Sequence, residues 1–448
     1  MGKPLHEAPL THLSAMDVFS GTLPESMARE AEELGPLIRW PVQVGPGAGG
    51  DIIFLMGAEA NKLVFNTHRE AFSHDLGWTP IIGDLMGTGL LNQDNPAWMR
   101  SRKMWNPAFT TAYMETYLPL IQRVVAQHTD TWAERGQVDI YQEARQITFH
   151  VAATALAGID RPDEVEHLQQ LFYDLLPRVG PFMGDSNAYA EYERKALAAR
   201  DELDIMLLRL IAERRAAPES QVGDVLGYIV HARDEEGQIL SDEEVLGHLY
   251  ILLVAGHETT TTLAAWTLYL LATEPEQRRN ILQEVETSLA GSSGPLSVEA
   301  ARDLHKLDVF IRECGRLHSP VQSVPRGVVE ETEFAGYTLP VGTSVRVSLA
   351  ACHRMSRYFA EPSTFDPDRF APPREEDRRS PYALVTFGGG PRLCIGVNFA
   401  NIEVKALAVD VLRKYELTPV ETAPPLDMGF ITVMVPGGMP MRVTARGQ

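Results

Sequence analysis

From Pro96 to about Leu289, apolar residues recur at three- and four-residue spacing, as in METYLPLIQRVVAQHTDTWAE and RDELDIMLLRLIAERRAA. That is the period of helices with one buried face. Ser241 with Glu244 forms a capping box, and it opens a long helix through Val254 and on to Leu271. Pro275 starts a further helix, PEQRRNILQEVETSL, which Ser292-Ser293-Gly294-Pro295 ends. Around this block the texture changes. PVQVGPGAGGDIIFLMG places apolar runs on either side of a Gly/Pro turn, a hairpin pattern. Past Pro320, SVPRGVVEETEFAGYTLPVGTSVRVSLAA reads as short β-branched strands broken by Gly and Pro, and a helix resumes after Cys394. No repeat or low-complexity linker intervenes. The pattern predicts one domain over 1–448, mainly α with a small β subdomain. Its helical core spans about 96–290 and 395–413, and its β-rich portion about 35–75 and 320–350.

Composition narrows the function classes. With 448 residues, 44% hydrophobic and 22% charged, the chain is ordinary globular protein, which excludes a disordered or fibrous one. Sixty acidic against 40 basic side chains give a net charge of -20. Such a field repels phosphate backbones, so no nucleic-acid partner is expected. Three cysteines, Cys314, Cys352 and Cys394, form no disulfide framework and fit a reducing compartment. The N-terminus lacks an apolar core of signal-peptide length. The most apolar stretch, Val245 to Leu271, is interrupted by His248, His257, Glu258 and five threonines. A cytoplasmic protein without a membrane anchor is the expectation.

Two motifs mislead. Gly45, Gly47 and Gly50 satisfy G-x-G-x-x-G, but a strand, Asp51 to Leu55, follows where a dinucleotide site needs a helix. These glycines therefore read as turn chemistry. His257-Glu258 begins like a zinc helix, yet Thr261 stands at the second histidine position, so His257 reads as polar packing. Cys314 and Cys352 read as apolar filler.

Phe387-Gly388-Gly389-Gly390-Pro391-Arg392-Leu393-Cys394-Ile395-Gly396 carries the strongest chemical signal. Three glycines and a proline make a tight loop, and the amphipathic VNFANIEVKALAVDVLRK follows. A cysteine at a helix start beside an arginine is suited to be a thiolate, either nucleophile or metal ligand. The loop resembles that of the cytochrome P-450 family, F-x-x-G-x-R-x-C-x-G, at Phe387, Gly390, Arg392, Cys394 and Gly396. The resemblance implies that Cys394 is the axial thiolate of haem b, that Arg392 contacts a propionate and that Phe387 packs beside the sulfur. Gly388 and Gly396 belong to the same cradle. Ala255-Gly256-His257-Glu258-Thr259-Thr260 is similar to the family's oxygen-activation signature. There Ala255 and Gly256 leave room for dioxygen, Thr259 offers it a hydrogen bond and Glu258 relays protons. Trp98 and Arg102 match W-x-x-x-R, and Arg326 falls where a further propionate ligand is expected. Glu313 and Arg316 match E-x-x-R, and Arg369 completes a Glu-Arg-Arg cluster, implied to be structural. His353-Arg354 is likewise implied to be structural.

The family resemblance implies a monooxygenase that inserts one oxygen atom of O2 into a lipophilic organic substrate by hydroxylation or epoxidation. Electrons would come from NAD(P)H indirectly, through a ferredoxin or flavodoxin with its reductase, since the chain leaves no room for a fused reductase. Arg100, Arg102 and Lys103 would form a basic docking patch for an acidic donor. The pocket segments implied by the family are Ile81 to Met86, Leu171-Phe172, Phe182-Met183, the stretch near Val254, Val321 to Val324, and Phe430 to Val433. They are apolar, and a fatty acid, terpenoid or macrolide-like substrate fits them. The W-x-x-x-R and GYTLPVGT motifs look closer to lipid-oxidising branches. A peroxide-driven haem-thiolate hydroxylase and a non-oxidising haem-based ligand sensor are the alternatives, and the Glu258-Thr259 pair speaks against both.

Overall fold

The computed structural model describes residues 2–14, 17, 21–43, 49–175, 186–218, 223–289, 295–421, 427 and 432–447. The chain begins with α1 (Leu23–Leu34), the hairpin β1 (Leu37–Gln43) and β2 (Gly49–Met56), α2 (Ala58–Lys62) and β3 (Phe72–Ser73). There follow α3 (Asp75–Met86), α4 (Ala97–Trp105), α5 (Thr111–Thr129), α6 (Trp132–Arg135), β4 (Gln137–Asp139), α7 (Ile140–Ala157), α8 (Pro162–Leu175), α9 (Ser186–Ala216) and α10 (Val225–Ile229). Then come α11 (Asp242–Thr273), α12 (Pro275–Ser288), α13 (Val298–Asp303) and α14 (His305–Leu317). The last part holds β5 (Ser323–Val328), β6 (Thr332–Phe334), β7 (Tyr337–Leu339), β8 (Ser344–Ser348), α15 (Leu349–His353), α16 (Glu376–Arg379), α17 (Val397–Lys414), β9 (Tyr415–Pro419) and β10 (Pro440–Ala445).

The architecture is a helical body with sheets at its margin. α7 and α11 pack side by side at its centre, joined by the Thr148 and Thr261 hydroxyls at 2.7 Å, and α17 packs on α5 and α11. α11 starts where its capping box places it: Glu244 N–H donates to Ser241 Oγ, and Glu244 Oε2 accepts from Ser241 N–H at 2.7 Å. α7 is capped by Asp139, whose carboxylate accepts from the N–H groups of Tyr141 and Gln142, and it ends at Gly158 in a left-handed conformation.

The main sheet has the order β1-β2-β8-β5-β3. β1 and β2 pair antiparallel, with Leu37 opposite Leu55, as the hairpin pattern predicts; Gly45 and Gly47, read as turn residues, lie outside the described residues. β2 pairs in parallel with β8, which brings the early hairpin against the strands after Pro320. A second sheet, β4-β10-β9, draws the segment at 440–445 back to the start of α7. Of these strands β4 interrupts the helical block that periodicity assigns to 96–290. Among the described residues, no helix is long and apolar enough to cross a membrane.

Candidate active site

Backbone hydrogen bonds shape the Cys394 loop. Gly388 N–H donates to Val385 O, Leu393 N–H to Gly390 O, and Cys394 N–H to Phe387 O at 3.0 Å. Gly388 and Gly390 have φ of 75° and 65°, conformations that cost a side-chain-bearing residue free energy. At Gly390 a Cβ would also lie 2.0 Å from Phe65 O, so only glycine lets the loop close on the 63–67 segment. The result sets Cys394 just ahead of α17 with open surface, whereas Cys314 and Cys352 are buried. Although its surface is open, Cys394 lies deep in the molecule. This desolvation raises its thiol pKa, opposed by the Gly396 N–H and by the charge of Arg102. Arg102, on α4, donates from Nη2 to Leu393 O at 2.8 Å and from Nε to Asn106 Oδ1 at 2.7 Å, which ties α4 to the loop.

A second group of side chains carries surplus positive charge. Arg326, from β5, is buried, its Nη1 donates to Pro325 O, and its Nε has no partner among the described residues. Burial, and then repulsion from Arg392, bring its pKa down to about 9. Arg392 lies over the Trp98 ring with its guanidinium carbon 4.3 Å from the centroid, and donates to Gln93 O at 2.8 Å. Burial lowers its pKa to about 10, opposed by Asp94, which stays 3.9 Å away. His74, at the start of α3, faces the same two guanidiniums; burial, Arg326 and Arg392 hold it well below the ordinary imidazole value. A buried and a half-buried guanidinium, with Asp94 3.9 Å from Arg392 and Glu70 acting only through its field, can take further anionic partners. These residues fit a group that presents carboxylates to Arg326, Arg392 and Trp98 and a metal to Cys394.

A third group of expected site residues lies on the middle of α11. Ala255 is exposed, and a Cβ added at Gly256 would meet only Leu156 Cδ1, at 3.7 Å, so the helix surface there is low. Thr259 Oγ1 donates to Ala255 O at 2.7 Å on this side. Glu258 accepts from Arg145 Nη2, on α7, at 3.0 Å. Arg145 in turn lies over the Tyr173 ring of α8, 3.8 Å from its centroid. Burial works against the ionised Glu258, but His257 and Arg145 outweigh it and hold its pKa below the ordinary value. His257 is buried and its own pKa falls to about 4, so at neutral pH it is an uncharged packing residue against Phe149.

Beneath the loop lies the Glu313-Arg316-Arg369 cluster, fully buried. Arg316 grips Glu313 with two parallel bonds of 2.7 and 2.8 Å, and Arg369 Nε reaches Glu313 Oε1 at 2.9 Å. Glu376 balances the second arginine at 2.9 Å. Arg316 also donates to the carbonyls of His353 and Pro362, at 2.7 and 2.6 Å. Burial keeps His353 neutral, at about 3, and its Nε2 accepts Val385 N–H at 3.0 Å, just before the Cys394 loop.

Other expected positions fall differently. Arg100 is bound to Asp234 at 2.7 Å and Glu244 at 2.8 Å, and Lys103 to Glu235 at 2.8 Å. The basic patch of the sequence reading is therefore largely neutralised by carboxylates of the 234–244 region, and Arg102 points into the loop. Leu171 and Phe172 are buried, Phe172 packing on Phe149 and Tyr250. Phe182, Met183, Phe430 and Ile431 lie outside the described residues. Sequence reasoning overlooked Arg145, Tyr173, His74 and Asp94. Arg145 did leave a trace, as the one guanidinium in the sequence of α7.

The cytochrome P-450 family model matches residues 12–439. The sterol 14alpha-demethylase of Mycolicibacterium vanbaalenii is 28% identical over 376 residues, 82% of this chain and 82% of its own. Human lanosterol 14-alpha demethylase is 26% identical over 414 residues, 91% of this chain and 80% of its own. Among solved structures, the retinoic acid-bound cyanobacterial CYP120A1 superposes with a TM-score of 0.83 at 26% identity, covering 93% of each chain.

Proposed function

Since this chain belongs to the cytochrome P-450 family and shares its fold, we propose that it is a monooxygenase of lipophilic, isoprenoid-type compounds supplied with electrons by separate redox partners. The class is that of a haem-thiolate monooxygenase with haem b, O2 and electrons drawn from NAD(P)H through partner proteins. Ligated by Cys394, the haem supplies reductive activation of dioxygen, with electron density donated by the thiolate.

The chain's own residues supply the rest. Cys394 binds the iron, and the Gly396 N–H and Arg102 favour its thiolate form. Arg326, Arg392 and Trp98 hold the carboxylate edge, with His74 beside them, and Phe387, Gly388 and Gly396 shape the cradle under the sulfur. Ala255 and Gly256 leave the low surface that a small molecule needs beside α11. Thr259 Oγ1, now donating to Ala255 O, can rotate its proton toward that space. Glu258 carries a proton at its carboxylate oxygens, and Arg145 holds it ionised between transfers. Glu313, Arg316 and Arg369 fix the scaffold below. The whole of 1–448 reads as one haem domain.

The surplus positive charge of Arg326 and Arg392 beside the open Cys394 carries this reading. The lipophilic preference rests on the partly buried Ile82, Leu85, Val254, Val321 and Val324, and on relatives whose names print sterol, lanosterol and retinoic acid. A ferredoxin or flavodoxin with its reductase is the proposed donor. The test is a titration of the holoprotein with sterols, retinoids and fatty acids, followed by turnover with NADPH, reductase and ferredoxin. A shift of the haem spectrum and a product one oxygen atom heavier are expected. Shifts with polar compounds alone would overturn the proposal.

A further inference from the structure

The segment from Gly87 to Asp94 runs as a strap between α11 and the positive cluster. At its α11 end, Leu90 N–H donates to His248 Nδ1 at 3.1 Å. Glycines on both partners allow the approach: a Cβ at Gly247 would lie 2.2 Å from Thr88 O, and one at Gly89 would lie 2.9 Å from Ile251 Cδ1. Asn92 braces the strap from within, since its Oδ1 accepts Gly89 N–H at 2.8 Å and its Nδ2 donates to Gly87 O at 3.0 Å. At the other end, His74 Nδ1 donates to Leu91 O at 3.2 Å and Arg392 Nη1 donates to Gln93 O at 2.8 Å. Leu90 adjoins Leu91, and Gln93 follows Asn92, so one short run of backbone joins His248 to both groups.

We propose that His248 is a positioning residue for the cofactor: through Leu90 it fixes the carbonyls of Leu91 and Gln93, which orient His74 and Arg392 toward the haem carboxylates. This rests on the haem-thiolate reading above. His248 is fully buried, and burial brings its pKa down to about 4, with Glu244 opposing and Arg100 reinforcing the fall. The ring is therefore neutral at pH 7; Nδ1, which faces an N–H, accepts, and Nε2 carries the proton. Nε2 has no partner among the described residues, so the bond to Leu90 is the one polar contact that this buried ring makes there. Leu91 O can only accept, so His74 Nδ1 carries a proton and Nε2 is left for the carboxylate edge. A strap released from α11 would let both carbonyls shift, and His74 and Arg392 would loosen together.

The test uses the haem-loaded full chain as wild type, His248→Leu, His248→Asn, His74→Leu and the double variant His248→Leu with His74→Leu. The rate of haem transfer to apomyoglobin and the Tm are measured on each. His248→Leu should speed haem loss about tenfold, the scale of one buried hydrogen bond. His248→Asn, whose amide oxygen takes the place of Nδ1, should recover most of that loss. Because the two histidines act through one strap, the double variant should lose haem more slowly than the product of the single effects. Asn92→Ala, which unbraces the strap, should move haem loss in the same direction, and it serves where His248→Leu does not fold. A lowered Tm with haem loss unchanged, or single effects that multiply in the double variant, would overturn the proposal and leave His248 a packing residue. A wild type that holds no haem would overturn the haem-thiolate reading and the proposal with it, a failure distinct from the other two.

Discussion

Arg145 and Glu258 meet across the α7–α11 contact at 3.0 Å, 113 positions apart in the chain, with Arg145 supported from below by Tyr173. The contact sets the charge and the direction of the carboxylate that precedes Thr259 in the chain.

Removing the guanidinium should release that carboxylate. Arg145→Met is expected to lower kcat by about ten- to a hundredfold, the range for losing a positioned proton donor, with substrate binding little changed. Peroxide released per NADPH should rise and the solvent isotope effect should grow. Glu258→Gln should show the same signature, and the double variant should add little to either.

The same pair makes stability pH-dependent. The folded pKa of Glu258 is depressed from its ordinary 4.5, so its contribution is fully present above that value and is lost as pH falls through the folded pKa. Urea unfolding between pH 6 and about pH 3 should show a stability decline that Glu258→Gln makes shallower.

Haem retention should depend on the positive cluster. His74 is held well below its ordinary 6.5 by burial, Arg326 and Arg392, and propionates placed there would raise it. Haem binding then takes up a proton, so affinity should strengthen as pH falls below about 6.5. His74→Leu should flatten that slope in haem transfer to apomyoglobin. Arg326→Ala should speed haem loss at every pH, and more so at low salt.

Gly388 and Gly390 share a left-handed backbone, but only Gly390 also abuts Phe65 O, at 2.0 Å from an added Cβ. Gly388→Ala is expected to cost about 1 kcal/mol through backbone conformation alone, with haem content preserved. Gly390→Ala should displace the loop from the 63–67 segment and yield protein depleted in haem, measured as the Soret to protein absorbance ratio.

Much of this site lies close together in sequence, and so it could be read before the structure. The loop from Phe387 to Gly396, the Ala255 to Thr259 stretch and the Glu313-Arg316 pair each span one turn or one loop, where spacing fixes geometry. The capping box at Ser241 and Glu244 is local in the same way. Partners that meet through helix crossings were not legible. Arg145 reaches Glu258 only because α7 packs along α11, and Arg100 finds Asp234 134 positions away. Periodicity marked Leu171 and Phe172 as apolar but could not say that Phe172 packs on Phe149 and Tyr250. The strands β4 and β9 are three and five residues long, too short for an alternation signal inside helical surroundings.

Thiolate ligation by Cys394 is the claim on which the rest depends. It is tested most directly by the optical spectrum of the holoprotein reduced with dithionite under carbon monoxide. A strongly red-shifted Soret band, absent in Cys394→Ala, is the predicted result. A haem-loaded protein whose band is unshifted, or whose shifted band survives Cys394→Ala, would contradict it.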